Sequence, residues 1–176
     1  MQNKGFTLIE MIIALGIFAI LLVATTSTFV KGFKYQRQAV EMQTVQRESS
    51  YIVEVLSREI RMATNVNSTQ RGISGSKISF TNHEGDAVDY CRANWSGTAA
   101  VCSNTGQYFA IINNTDGTSD IINSSDVRVS NVMFYVSNQD FSVSQPLVHI
   151  VIGMESKKDS RVQLALQSTV AMRLYR

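Results

Sequence analysis

Residues 11–30 carry no charged side chain, and the residue just before them is Glu10. As a helix this run is about 30 Å long, enough to cross the hydrocarbon core of a bilayer. A backbone in lipid has no water to bond, so such a run must satisfy its own polar groups and is constrained to helix. Lys31 ends it. A charge at mid-helix costs on the order of 2.5–3.5 kcal/mol on insertion scales and less near an edge. Glu10 therefore stands where a carboxylate needs a reason, which makes it a functional candidate.

The run is entered through Lys4-Gly5-Phe6-Thr7-Leu8-Ile9-Glu10 and opens Met-Ile-Ile-Ala-Leu-Gly-Ile-Phe-Ala-Ile-Leu-Leu. This stretch closely resembles the processing motif of type IV pilins and type II secretion pseudopilins. The resemblance implies that a prepilin peptidase cuts between Gly5 and Phe6 on the cytoplasmic side, removes residues 1–5 as a leader, and methylates the new amine of Phe6. It gives Glu10 the role of meeting the N-terminal amine of a neighbouring subunit during assembly. Physical chemistry agrees, since a carboxylate in low dielectric is tolerated when a cation pairs with it. The resemblance also implies a single-pass inner (cytoplasmic) membrane protein with a cytoplasmic N-terminus and an extracytoplasmic C-terminal domain. Its partners would be the peptidase, an inner-membrane assembly platform and other pilin or pseudopilin subunits.

Two plainer readings compete. A secretory signal peptide would use residues 11–24 as its apolar core, yet Glu10 stands where such peptides want positive charge. A plain single-pass anchor would hold Glu10 merely at headgroup level. Orientation contains a conflict: Lys4 precedes the span, whereas Lys31, Lys34 and Arg37 follow it. The positive-inside rule would put the C-terminal part in the cytoplasm. The processing route implied by the resemblance requires the opposite.

After the span enough chain remains for one domain with its own core. The formal net charge is +2 and the basic residues are scattered, so no specific nucleic-acid partner is expected. From 31 to about 63 the chain reads as a helix leaving the membrane. Ile52, Val55, Leu56, Ile60 and Ala63 make an apolar stripe for a sheet to cover. Glu54 and Arg58 stand in the favoured i, i+4 order for an ion pair. Upstream, between 34 and 48, Tyr35, Val40, Met42 and Val45 are sparse, which points that half toward neighbouring subunits. No proline interrupts 6–64, and Thr25-Thr26-Ser27-Thr28 with Gly32 are the local softeners, because hydroxyls bond back to i−4 carbonyls. Val45-Gln46-Arg47-Glu48 and the stretch 52–63 resemble minor pseudopilins of the J class and minor pilins of the W class.

Beyond Asn65 the period changes to strands. Residues 77–81, 108–112, 127–137, 147–153 and 161–174 are rich in β-branched and aromatic residues between Gly, Asn, Asp and Ser clusters. Val127 and Val129 share one parity while Val132, Phe134 and Val136 share the other, so a bulge near Ser130-Asn131 is expected. The expected fold class is α+β and pilin-like: one long N-terminal helix, transmembrane then amphipathic, packed on a C-terminal antiparallel β-sheet. The expected divisions are 1–5 leader, 6–30 transmembrane half, 31–65 amphipathic half and 66–176 β-rich domain.

Cys91 and Cys102 enclose a loop holding Trp95 and Gly97. In an external compartment such a pair reads as a disulfide with Trp95 packed against it; a zinc site with His83 and His149 has no matching ligand spacing. The loop from Asn113 to Asp120 is oxygen-rich, and Asp116 and Asp120 would be the first calcium ligands to test. It lacks the spacing of a calcium loop and reads as a solvated turn. Asn-x-Ser/Thr triplets begin at Asn67, Asn94, Asn113 and Asn123, as chance allows in so polar a chain. No nucleophile elbow, phosphate loop or paired metal motif is present, so neither an enzyme nor a cofactor is expected. The functional expectation is a minor structural subunit of a type II secretion pseudopilus or type IV pilus. A membrane-tethered binding module or adhesin that never polymerises is the alternative.

Overall fold

A computed structural model describes residues 5–66, 74–137 and 145–172. Among these described residues one helix, α1 (Leu8–Met62), is followed by ten strands: β1 (Asn65–Val66), β2 (Ser74–Gly75), β3 (Lys77–Thr81), β4 (Ala87–Trp95), β5 (Ala100–Cys102), β6 (Tyr108–Asn113), β7 (Ser119–Ile121), β8 (Val127–Val136), β9 (Leu147–Ser156) and β10 (Gln163–Ala171). This is the α+β, pilin-like layout expected. The chain divides into two compact units, Met1–Val40 and Glu41–Arg176. The first is the N-terminal part of α1, whose large apolar side chains are exposed throughout.

In the second unit the strands form two antiparallel sheets, where one was expected. Sheet A runs β1-β3-β4-β6-β7 with β5 hydrogen-bonded to β4, and sheet B runs β10-β9-β8-β2. Both sheets and the helix share one core. Val45, Ile52, Leu56, Ile60 and Ala63 from α1 join Ile78, Phe80, Val88, Tyr90 and Phe109 from sheet A and the inward residues of sheet B. An aromatic series ties the two sheets together. Phe80 stacks on Tyr90 at 5.5 Å, Tyr90 on Phe109 at 6.2 Å, and Phe109 meets Phe134 of sheet B at 6.5 Å. Ring pairs at such distances add to the area they bury.

The helix docks earlier than its sparse apolar pattern suggested. Val45 is fully buried, and Glu41 already makes polar contacts with the domain. Glu41 Oε2 accepts from Ser156 Oγ at 2.8 Å, and Lys158 Nζ lies 3.8 Å from Glu41 Oε1. About two turns further on, buried Ser49 donates to Val45 O and Glu48 Oε2 accepts the Ser124 backbone N–H at 3.1 Å. Residues 41–48 thus serve their own domain, because carboxylates at 41 and 48 supply acceptors that loop backbone and hydroxyls need. Arg58 pairs with its neighbour Glu59 at 3.8 Å rather than with Glu54.

The parity switch in β8 is resolved as expected. Register shifts between Val129 and Asn131, so Val127, Val129, Val132, Phe134 and Val136 all point into the core. Gly153 stands opposite Asn131, and a Cβ there would lie 2.8 Å from Ser130 Oγ. The strand expected over 161–174 is β10, and Leu174 lies outside the described residues. The sequence reading passed over β4, whose Asp89 and Arg92 break the alternation of apolar residues. β4 has both faces covered: Val88 and Tyr90 face the main core, while Cys91 and Ala93 face a second cluster with Ala100 and Ala110.

Gly106 holds the turn between β5 and β6 against β4. A Cβ there would fall on the carbonyl carbon and oxygen of Ala93, and Arg92 secures the turn by donating to the carbonyls of Gly106 and Asn104. Because the clash is with backbone, no side-chain rotation relieves it. Gly106→Ala is expected to destabilise the folded domain by about 3 kcal/mol, the upper range for overpacking. Gly75→Ala, whose nearest neighbour is 3.8 Å away, should stay within about 0.5 kcal/mol. Thermal melts of the full-length protein in detergent, followed by circular dichroism, check both.

Candidate processing and assembly site

The entry to α1 is closed by its own side chains. The backbone N–H and the hydroxyl of Thr7 each donate to Glu10 Oε2 at 3.0 Å, and the Glu10 N–H points back to Thr7 Oγ1 at 3.4 Å. Met11 N donates to the Thr7 carbonyl at 3.3 Å, the first intrahelical bond. Thr7 is thus the N-cap and Glu10 the third helical residue of a reciprocal capping box, which satisfies N–H groups that a helix start leaves open. The Thr-x-x-Glu spacing is the sequence signature of such a box, a role for Glu10 beside the assembly role expected from the resemblance. Both Thr7 and Glu10 lie downstream of the Gly5–Phe6 bond, so the box is independent of residues 1–5.

Phe6 is 80 % exposed, and nothing lies within 4 Å of where a Cβ on Gly5 would be. The fold itself makes no demand for glycine at position 5. Met1 to Lys4 lie outside the described residues. In the span the hydroxyls expected to bond back do so: Thr25 to Leu21 O at 2.7 Å, Thr26 to Leu22 O at 2.8 Å, Ser27 and Thr28 to Ala24 O at 2.9 and 3.1 Å. Four hydroxyls in an apolar helix are thereby satisfied without water.

In the β-rich unit, Cys91 of β4 and Cys102 of β5 are joined in a disulfide with Cα atoms 5.7 Å apart. The bridge is a staple across the β4–β5 hairpin rather than the closure of an irregular loop. Ala93, Ala100, Ala110 and Ile112 pack around it. Trp95, expected against the bridge, is 43 % exposed at the end of β4. The hairpin is fastened further by the Ala100 N–H donating to Ser119 Oγ at 2.9 Å.

The remaining candidates are occupied locally. His83 lies in the β3–β4 turn beside Glu84, while His149 sits on β9, its Nδ1 2.9 Å from Thr169 Oγ1 and its ring 5.7 Å from Tyr135. The two histidines belong to different sheets, and both sulfurs are spent in the disulfide. Asp116 Oδ1 accepts from the Thr118 hydroxyl at 2.7 Å and its N–H at 2.9 Å, and these bonds hold its carboxyl below the ordinary range. Asn113 Oδ1 accepts the Thr115 N–H, and Gly117 has φ +75°, so this segment is a tight β6–β7 turn, with Asp120 on β7. Among the described residues no group of three or more His, Cys, Asp or Glu is placed to hold a metal.

Two polar groups were missed by the sequence reading. Asn123, noted only as part of a triplet, is buried and accepts the Phe109 N–H at 2.6 Å while donating to the Val127 and Ser124 carbonyls. Asp89 is nearly covered in sheet A. Burial pushes its carboxyl up, but hydrogen bonds from Ser79, Asn114 and Lys77 and the Lys77 charge at 3.1 Å together bring it below the ordinary range. Asn94 and Asn113 stand at strand and turn positions, and Asn67 lies outside the described residues.

Residues 1–26 match the family described as the prokaryotic N-terminal methylation motif. No curated protein and no solved structure matches the chain. The match indicates a type IV pilin-like prepilin substrate, and the motif implies processing by a prepilin peptidase and assembly with other pilins. The N-terminal apolar helix is consistent with membrane anchoring.

Breaking the hairpin staple tests its contribution directly. A loop of this sequence separation, 11 residues, corresponds to about 3 kcal/mol in the chain-entropy model. The Cys91→Ala/Cys102→Ala double variant should lose about that much stability by thermal melting. Non-reducing peptide mapping of the parent should show residues 91 and 102 in one crosslinked species.

Proposed function

We propose that this chain is a structural minor pilin or pseudopilin. It is cut between Gly5 and Phe6, methylated at Phe6, held by residues 6–30 in the inner membrane with its β-rich unit outside, and then drawn into a type II secretion pseudopilus or type IV pilus. The observation that carries the reading is the methylation-motif match over residues 1–26 at the head of a continuous apolar helix. Two features support it. Gly5 has open space around its Cβ position, so folding does not account for a glycine there, whereas a peptidase that reads a Gly-Phe bond would. Among the described residues Glu10 accepts from Thr7, and a carboxylate has acceptor capacity for a further cation. The amine of a neighbouring Phe6 is the cation that processing would create.

Mass spectrometry of the membrane form tests the cut. The mature chain should begin at a methylated Phe6, and Gly5→Val should leave the full precursor. A mature chain beginning at Met1 or near Ala24 would overturn the reading.

The capping box sharpens the test of Glu10. Glutamine at the same position retains an acceptor for the Thr7 N–H, since Gln serves in capping boxes, but has no charge. Glu10→Gln should therefore insert and be cleaved like the parent, yet be recovered at reduced level in sheared filaments. Glu10→Ala should lose both the cap and the charge, the cap being worth about 1 kcal/mol. Equal filament recovery for Glu10→Gln and parent at equal expression would remove the ionic role and favour the tethered-module alternative.

A further inference from the structure

The three cations that follow the span, Lys31, Lys34 and Arg37, are not used by anything described above. No acidic residue occurs between Glu10 and Glu41, so this stretch of helix carries +3 with no counter-charge of its own. All three side chains are exposed, and none forms an ion pair among the described residues. The contrast with the helix from Glu41 onward is sharp, because there acids and bases are intermixed in sequence and Glu41 and Glu48 are engaged.

Position identifies the missing counter-charge. Counting from Val30, the Cα atoms of Lys31, Lys34 and Arg37 lie about 1.5, 6 and 10 Å along the axis. The headgroup layer is roughly 5–7 Å deep on each side of the hydrocarbon core. Side chains on a helix lean toward its N-terminus, here toward the bilayer, so even Arg37 reaches back into that layer. At about 100° per residue the three cations fall within an arc of about 120°. Phe29 and Phe33, both exposed and in ring contact at 6.4 Å, stand at the same level, as does exposed Tyr35. Aromatic rings beside cations at the end of an apolar helix are the composition of a membrane-interface anchor.

We propose that residues 29–37 form a collar that binds the phosphate headgroups of anionic phospholipids, Lys31, Lys34 and Arg37 supplying the charge and Phe29, Phe33 and Tyr35 the interfacial wedge. The collar accounts for the cations on the flank where the positive-inside rule does not want them. It also gives the anchored subunit an electrostatic hold on lipid that must be released before the helix leaves the bilayer. The proposal rests on the membrane-spanning part of the reading above, but not on cleavage or on a filament.

The test uses full-length protein in vesicles of phosphatidylcholine mixed with phosphatidylglycerol, with a spin-labelled version of either lipid reporting the fraction immobilised at the protein. The parent should prefer phosphatidylglycerol several-fold. That preference should shrink as salt shortens the screening length from about 10 Å at 0.1 M to about 3 Å at 1 M. Lys31→Gln/Lys34→Gln/Arg37→Gln should bring it close to parity, while Lys31→Arg/Lys34→Arg should retain it. A parent without preference, or a triple glutamine variant that keeps it, overturns the proposal. Since neither the peptidase nor assembly enters the assay, a failure here is distinct from a failure of the processing reading.

Discussion

The globular unit is built against one stripe of a helix. Val45, Ser49, Ile52, Leu56 and Ile60 are all fully buried, at spacings of four, three, four and four, and the inner faces of both sheets meet that stripe in a common core. A helix presents one apolar stripe wide enough to be covered once. Two sheets can share it only because they also pack on each other through Phe109 and Phe134. Polar contacts at Glu41 and Glu48 then bound where docking begins, and residues upstream of them belong to the other compact unit.

Upstream of that stripe the same helix carries an apolar run that the core does not cover. Residues 11–30 satisfy their backbone within the helix and their four hydroxyls on preceding carbonyls, so nothing polar there needs water. Glu10 is the exception and is half-answered locally by Thr7. A carboxylate that caps its own helix and still has free lone pairs can hold the helix start together and accept a cation from elsewhere, two roles that do not exclude each other.

The disulfide belongs to a different layer of organisation. The outer face of sheet A around Cys91 and Ala93 is covered by its own hairpin, and small side chains leave that cluster with little apolar area to bury. A covalent staple supplies what such a cluster lacks. Its consequence is a fixed β4–β5 hairpin presenting Trp95 and Val101, both exposed, on the surface of the unit.

Local chemistry was readable without the fold. The apolar run, the hydroxyl back-bonds, the stripe of Ile52, Leu56, Ile60 and Ala63 and the bulge at Ser130-Asn131 each depend on residues within a few positions of one another, where spacing dictates geometry; Val55, expected in that stripe, lies outside the core, and Val53 packs against it instead. What the tertiary structure decided is non-local. Two sheets replaced one, and β4 proved buried on both faces. Glu41, Glu48 and Asn123 became latches only through partners that chain folding brought to them: Glu41 to Ser156, 115 positions away, and Glu48 to Ser124, 76 away. A helix carries its hydrogen bonds within itself and so announces itself in sequence, whereas a polar group's partner across a core is known only once the chain has closed around it.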